Sequence, residues 1–249
     1  MEIIPVIAIA FMIAVLFSVL GLGGAIIYTP LFFWLGIPLL AAIPMALLLN
    51  MVTTASASIT YLKQQLVDKR IAYPMILASI AGALIGSYLA SRVETRIIIL
   101  LLSVILLIAA LRILFFSNLG FRVKDGKNKK IFIGTGLAFI FGIISSLVGI
   151  GGGTFIVPLL LIIGLEIKNA AATSAFIITF TSFSGFAGHL VFGAQTLDIR
   201  VLFYTGLAVF AGAQIGSKMI FKRVSSKNIS NLFALVLLFV AGKLLYGLI

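Results

Sequence analysis

Long apolar runs, separated by short stretches with charged residues, fill most of this sequence. The longest, Leu39–Leu62 and Ala170–Phe192, have 24 and 23 residues. A helix that crosses the hydrocarbon core of a bilayer needs about 20 apolar residues. The composition, 62% hydrophobic and 10% charged, also differs from that of soluble domains. The sequence therefore predicts an all-α polytopic membrane protein.

The apolar runs form two halves with the same plan. Each half has a long run, a glycine-rich break, a short run, a turn and three further runs. The first half contains Ile3–Leu20, Ile26–Leu35, Leu39–Leu62, Ile71–Ala90 and Ile97–Phe116. The second half contains Ile131–Val148, Thr154–Ile163, Ala170–Phe192, Val201–Phe221 and Ile229–Ile249. We predict a first transmembrane repeat over residues 1–116, a basic linker over 117–130 and a second repeat over 131–249.

Two matching segments support a duplication of the chain. Gly21-Leu22-Gly23-Gly24-Ala25, followed by Pro30, matches Gly149-Ile150-Gly151-Gly152-Gly153 and Pro158 at an offset of 128 residues. The segments 81–87 and 211–217 share six of seven residues at an offset of 130. Both of the latter contain Gly-x-x-x-Gly, which lets helix backbones approach closely. We interpret those glycines as packing positions.

The distribution of basic residues predicts the orientation of the halves. If the chain doubles back at each glycine break, every half crosses the membrane an odd number of times and the halves are inverted. Of the 18 Lys and Arg residues, 14 then lie on one side and 4 on the other; a mere kink gives 11 and 7. The positive-inside rule favours the larger asymmetry. We therefore predict inverted repeats with both termini outside, a cytoplasmic linker and a first run that is retained, not cleaved as a signal peptide.

The charged residues also limit the possible functions. The net charge of +12 would suggest nucleic acid as a partner for a soluble protein, but here the basic residues cluster in loops, so we expect none. All six acidic residues lie at the start of the chain or in loops: Glu2, Asp68, Glu94, Asp125, Glu166 and Asp198. This argues against cation coupling through an intramembrane carboxylate. Without cysteines, paired carboxylates or a second histidine, we expect no enzyme, metal site or cofactor.

His189 is the one histidine of the chain, near the end of a predicted helix. An ionisable group inside a membrane is a candidate for function, here as a proton relay. The alternative is a helix-end residue at the interface, and we favour it.

The glycine breaks are candidates for an anion site. Breaking a helix frees backbone N–H groups and exposes the positive end of the next half-helix, which favours an anion. The half-helices would begin near Ala25 and Thr154. Asn50, Thr53 and Thr181, on the helices that follow, could add donors without adding charge. The predicted substrate-binding residues are Gly21, Gly23, Gly24, Ala25, Gly149, Gly151, Gly152, Gly153, Thr154, Asn50, Thr53 and Thr181. The alternative is that the glycines only permit a tight hairpin.

The two glycine–proline motifs, the two-half layout and the basic central loop resemble the sulfite exporter TauE/SafE family, also called the toluene sulfonate uptake permease family. The resemblance covers essentially the whole chain and implies a bacterial or archaeal inner-membrane transporter of sulfur-containing anions such as sulfite or sulfonates. The first motif departs from the second in having Ala25 where the other has Gly153.

Three functional interpretations remain at the level of the sequence. The first is an alternating-access carrier for a small anion, with the bilayer as its surroundings and an undetermined oligomeric state. The second is a gated anion channel on the same repeats, and the third is a membrane scaffold that transports nothing. Export is the expected direction, because an anion that leaves an inside-negative cell gains about 2.3 kcal/mol per charge per 100 mV.

Overall fold

Ten helices make up the described part of the chain, which comprises residues 3–115, 127–193, 199–219 and 226–246 of a computed structural model. The first half contains α1 (Ile3–Leu20), α2 (Ala25–Trp34), α3 (Leu39–Lys63), α4 (Lys69–Ala90) and α5 (Thr95–Phe115). The second half contains α6 (Lys127–Val148), α7 (Gly153–Ile163), α8 (Ile167–Phe192), α9 (Ile199–Met219) and α10 (Ser226–Tyr246). These residues include no strand, so the all-α prediction is confirmed. Most of the predicted linker, 117–126, lies outside the described residues, as do Glu2, Asp125 and Asp198.

Five of the described helices, α3, α4, α6, α8 and α9, are long and apolar enough to cross a membrane. The protein is therefore a multi-pass membrane protein. The most apolar window of α3 is 72% buried, the largest share among these five helices, which puts α3 at the centre of the bundle. Large apolar side chains such as Leu77 and Phe203 are more than half exposed on the outside of the bundle, as expected for lipid contact.

Helix α4 begins two residues before the apolar run that predicted it. Asp68 takes the N-cap position, and its carboxylate accepts hydrogen bonds from the backbone N–H groups of Arg70 and Ile71 at 3.1 and 3.3 Å. Such a cap satisfies donors that the first turn of a helix leaves free. The charged residues Lys69 and Arg70, which we assigned to the loop, therefore belong to the helix.

The chain doubles back at both glycine breaks. The Tyr28 hydroxyl of α2 donates to the Ala10 carbonyl of α1 at 3.3 Å, although a continuous helix would put these residues roughly 27 Å apart. In the second half, the rings of Phe141 in α6 and Phe155 in α7 stack with their centroids 4.9 Å apart. Both α1–α2 and α6–α7 are therefore helical hairpins.

The two halves pack by exchanging equivalent helices. Helix α1 contacts α9, and its counterpart α6 contacts α4; in the same way α3 contacts α9 while α8 contacts α4. The Gly-x-x-x-Gly glycines lie at these contacts, where a Cβ atom would collide with the backbone of the neighbouring helix. Gly82 and Gly86 face α6, and Gly212 and Gly216 face α1. Their role in packing is confirmed.

Helices α3 and α8, which occupy equivalent places in the two halves, run in opposite directions. Asn50 is bonded to Ser182, whereas Thr54, one turn further along α3, is bonded to Thr179, which comes earlier in α8. Copies related by an axis along the membrane normal would run in the same direction here. The contacts thus favour inverted repeats, and the sidedness in the bilayer stays a prediction.

Candidate functional site

The two glycine breaks meet between the midpoints of α3 and α8. A Cβ on Gly153 would collide with the backbone carbonyl of Leu22, so the breaks touch each other directly. The Thr29 hydroxyl of α2 donates to the carbonyl of Gly149 at 2.5 Å. The backbone of both breaks is buried, apart from the partly exposed Leu22. The fold therefore brings the nine backbone positions that we predicted for the site, Gly21 to Ala25 without Leu22 and Gly149 to Thr154 without Ile150, into one region.

Asn50 occupies the start of α2 at the first break. Its side-chain oxygen accepts hydrogen bonds from the backbone N–H groups of Gly24 and Ala25, at 2.6 and 2.9 Å. Its amide nitrogen donates to the Ser182 hydroxyl of α8 at 2.8 Å. The residue is fully buried. Asn50 was predicted to be a ligand of the anion; in this conformation it takes the place that an anion would have at the first break.

The second break lacks such a cap. Ile178 stands 128 residues after Asn50 and has no group that could accept a hydrogen bond. Within the described residues, the backbone N–H groups of Gly151, Gly152, Gly153 and Thr154 have no hydrogen-bond acceptor. Gly152 has φ +80°, whereas its counterpart Gly24 has φ −130°, so the approach to α7 differs from the approach to α2. Four successive free donors at a helix N-terminus are suited to an anion.

The side chains beside the two breaks widen this difference. A Cβ on Gly24 would lie 2.5 Å from the ring of Tyr28, which fills the space next to the first break. The residue equivalent to Tyr28 is the smaller Ile156. A Cβ on Gly152 would meet only the Ser145 side chain, with its hydroxyl oxygen at 3.5 Å. The second break therefore has more room and a hydroxyl beside it. Ser145 was not among our candidates, because nothing in the sequence showed that it faces Gly152.

Three predicted hydroxyl ligands lie near the breaks with different surroundings. Thr53 donates to the carbonyl of Leu49 in its own helix at 2.8 Å. Thr181 is bonded to the Ser79 hydroxyl of α4 at 2.7 Å and to its own helix. Thr154 caps nothing with its side chain and is partly exposed. Of the three, Thr154 is the one whose hydroxyl has no printed bond to the described protein.

A cavity of about 260 Å³ lies beside α7. Helices α5, α6 and α7 form its walls, and nearly all of its lining side chains are apolar: Ile105, Ile108, Ala109, Leu137, Phe141, Phe155, Pro158, Leu159 and Ile162. Thr154 is the one hydroxyl-bearing residue in the lining. The cavity therefore ends at the uncapped start of α7.

Comparison with known proteins agrees with this architecture. The family description "Sulfite exporter TauE/SafE" matches residues 6–244. The chain belongs to this family. The sequence-level resemblance is thereby confirmed.

Curated relatives of this family member include bacterial proteins of similar length. It is 28% identical to the probable membrane transporter protein YunE of Bacillus subtilis, over 92% of each chain. It is 27% identical to the probable membrane transporter protein ORF9 of a Sinorhizobium species, over 95% of this chain and 89% of the relative. A plant relative, sulfite exporter TauE/SafE family protein 1 of Arabidopsis thaliana, is 32% identical over 41% of this chain and 22% of its own length. No solved structure matches. The protein is therefore a membrane transporter of the TauE/SafE family.

Proposed function

We propose that this transporter carries a small oxyanion, which binds at the second glycine break. The observation behind the proposal is the row of four free N–H groups from Gly151 to Thr154. Backbone donors and a helix N-terminus can hold an anion without a buried cation. Ser145 and Thr154 supply hydroxyls on either side. The first break, capped by Asn50, holds the scaffold together, and one anion binds per chain.

The substrate class that fits best is a sulfur-containing anion such as sulfite or a sulfonate. The name of the family supports this choice, and the geometry agrees with it, because several N–H groups in a row can contact more than one oxygen of a tetrahedral or pyramidal group. The names of the bacterial relatives state only that they are probable membrane transporters. The geometry of the donors does not distinguish one such oxyanion from another.

Alternating access and export complete the proposal. Exchange of equivalent helices between the halves gives each half the same contacts to rearrange, as in carriers built from inverted repeats. The membrane potential drives anions out of the cell by about 2.3 kcal/mol per charge per 100 mV. We place the chain in the bacterial or archaeal plasma membrane, with both termini outside and with lipid and a small anion as its partners. It needs no nucleic acid, metal or cofactor for this task.

Purified protein in proteoliposomes tests the proposal. Labelled sulfite, sulfate, thiosulfate and methanesulfonate would be offered one at a time, with an imposed potential of either sign. We expect saturable flux of at least one of them, counterflow with the unlabelled anion and acceleration by a potential that is negative on the linker side. Flux without saturation or counterflow would indicate an anion channel. Absence of flux and of ligand-induced thermal stabilisation for all four would contradict the proposal.

A further inference from the structure

Two hydrogen bonds outside the glycine breaks occupy equivalent positions in the two halves. The Tyr61 hydroxyl of α3 donates to the carbonyl of Ser18 in the last turn of α1, at 2.5 Å. The His189 ring nitrogen Nε2 of α8 lies 2.9 Å from the carbonyl of Ser146 near the end of α6. Tyr61 and His189 are 128 residues apart, and so are Ser18 and Ser146. The same bond thus recurs with a different side chain.

These bonds lie at opposite ends of the α3–α8 pair. The two helices are antiparallel, so the end of α3 that carries Tyr61 contacts the start of α8, near Ala172. The end of α8 that carries His189 lies beyond the Gly185–Leu47 contact, toward the start of α3. The glycine breaks lie between them. Each bond ties the end of one central helix to the helix that leads into a glycine break.

We propose that Tyr61 and His189 act as two latches, one toward each face of the membrane, which open in turn during the transport cycle. The inference rests on the proposed function, since latches matter only if the protein alternates between two open states. When the Tyr61 bond breaks, α1 separates from the end of α3 on the linker side. When the His189 bond breaks, α6 separates from the end of α8 on the opposite side.

The two latches differ because only the histidine changes charge near neutral pH. A carbonyl can only accept, so Nε2 of His189 carries a proton and Nδ1 is free to take another. His189 lies in the last turn of α8 and reaches the last turn of α6, so two helix C-termini favour the positive charge. Protonation also makes the bond to Ser146 charge-assisted and therefore stronger. Acid on this face keeps the His189 latch closed.

The surroundings of His189 contain no other group that would produce this response. From α4, the facing groups are Ser87, next to Gly188, and Tyr88, whose ring packs on Phe192 of α8. In the turn after α4, Arg92 stacks on Tyr88 and Glu94 follows; both are exposed. The described parts of α1, α3 and α7 carry no charged residue level with His189. On α6, Lys130 is 16 residues before Ser146, or roughly 24 Å along the helix.

The test uses proteoliposomes in which the 117–130 linker, by its cleavage with trypsin, reports which face is outside. Labelled sulfate is the probe, since its charge is constant over the range used. One compartment at a time is brought from about pH 7.5 to about pH 5.5. We expect acid on the face opposite the linker to slow flux about fivefold, the ratio expected between a neutral and a charge-assisted bond. Acid on the linker face should leave the flux unchanged.

Exchange of the two side chains separates the latch from all other titratable groups. His189→Tyr copies the first half into the second and should abolish the response while transport continues. The double variant Tyr61→His/His189→Tyr should move the response to the linker face. If the tyrosine variant does not fold, His189→Gln, whose amide also donates but does not titrate, replaces it. A wild type without a one-sided response, or a response that survives in His189→Tyr, overturns the latch. Absence of flux at every pH overturns the proposed function as well, and the two failures are thus distinct.

Discussion

The side-chain oxygen of Asn50 lies 2.6 Å from the backbone nitrogen of Gly24 and accepts its hydrogen bond. This one contact makes the two halves unequal at their centre. It fills the start of α2, whereas the start of α7 keeps its donors free. A chain that was duplicated, with matching glycines in both copies, thereby provides one anion site instead of two.

Loss of the Asn50 cap should destabilise the protein. Asn50→Ala leaves two buried N–H groups without an acceptor, and we expect a loss of about 2 to 3 kcal/mol in the free energy of unfolding. Ser103→Ala is the matched control, because Ser103 is buried as well but bonds only to Ile99 of its own helix. Thermal unfolding in detergent measures both. Equal melting temperatures for the two variants would contradict the role of Asn50 as a cap.

Asn50→Asp separates stability from anion binding. The carboxylate keeps an acceptor for Gly24 and Ala25, so the loss of stability should be smaller than in Asn50→Ala. Its negative charge stands against Gly151, where the amide nitrogen of Asn50 now lies. Repulsion should weaken the binding of sulfate at least tenfold, measured by equilibrium binding to purified protein. Unchanged affinity would mean that the anion binds away from Gly151.

Gly152→Ala tests the free donors themselves. Gly152 has φ +80°, a conformation in which any side chain costs about 1 kcal/mol, and the added methyl group would stand over the donors. Gly164→Ala is the control: it has φ +109° and open space around it, but it lies in the turn after α7. Both variants should lose similar stability, and only Gly152→Ala should lose anion binding. Equal affinity in both variants would exclude the second break as the site.

Gly86→Ala and Gly136→Ala test the packing of the halves. A methyl group on Gly86 would collide with the backbone carbonyl of Ile143 in α6, so α4 and α6 must separate. Gly136 lies on the outer side of α6 with nothing near it. We expect a loss of about 2 kcal/mol for Gly86→Ala, as in other overpacked contacts, and a gain of about 0.5 kcal/mol for Gly136→Ala from helix propensity. Thermal unfolding gives the comparison; a loss of the same size in both would rule out the close contact.

Cysteine labelling tests the inversion of the halves. The chain has no cysteine, so single substitutions are specific. Pro38 and Glu166 are 128 residues apart, exposed, and each takes the N-cap position of its helix, α3 or α8. A membrane-impermeant maleimide applied to whole cells should label Pro38→Cys and leave Glu166→Cys unlabelled until the cells are opened. Labelling of both from the same side would mean parallel repeats.

The helices could be predicted from the sequence because the information is local. Apolar runs and glycines gave all ten helices in order, and the boundaries differ by at most four residues, as at Lys127. The extra residues at the start of α4 follow from the capping side chain of Asp68. The duplication was visible because residues at fixed offsets could be compared directly.

The details of the site depend on contacts between distant parts of the chain. Asn50 was selected as polar within an apolar run, but its acceptor role needs the hairpin that brings Gly24 beside it. The same holds for Ser145, which faces Gly152, and for Tyr61, which is equivalent to His189. An offset of 128 would have matched Tyr61 to His189 in the sequence, yet only the bonds to Ser18 and Ser146 give the match a meaning.

The most direct test of the anion site is to locate a bound selenate, an analogue of sulfate, by the anomalous signal of selenium in a crystal of this protein. We predict one selenium position per chain, about 4 Å from the backbone nitrogens of Gly151 to Thr154, as expected for N–H···O bonds of about 2.9 Å. No selenium should lie beside Gly24, where Asn50 already accepts. A selenate bound at the start of α2, or in the basic loops with the second break empty, would contradict the account.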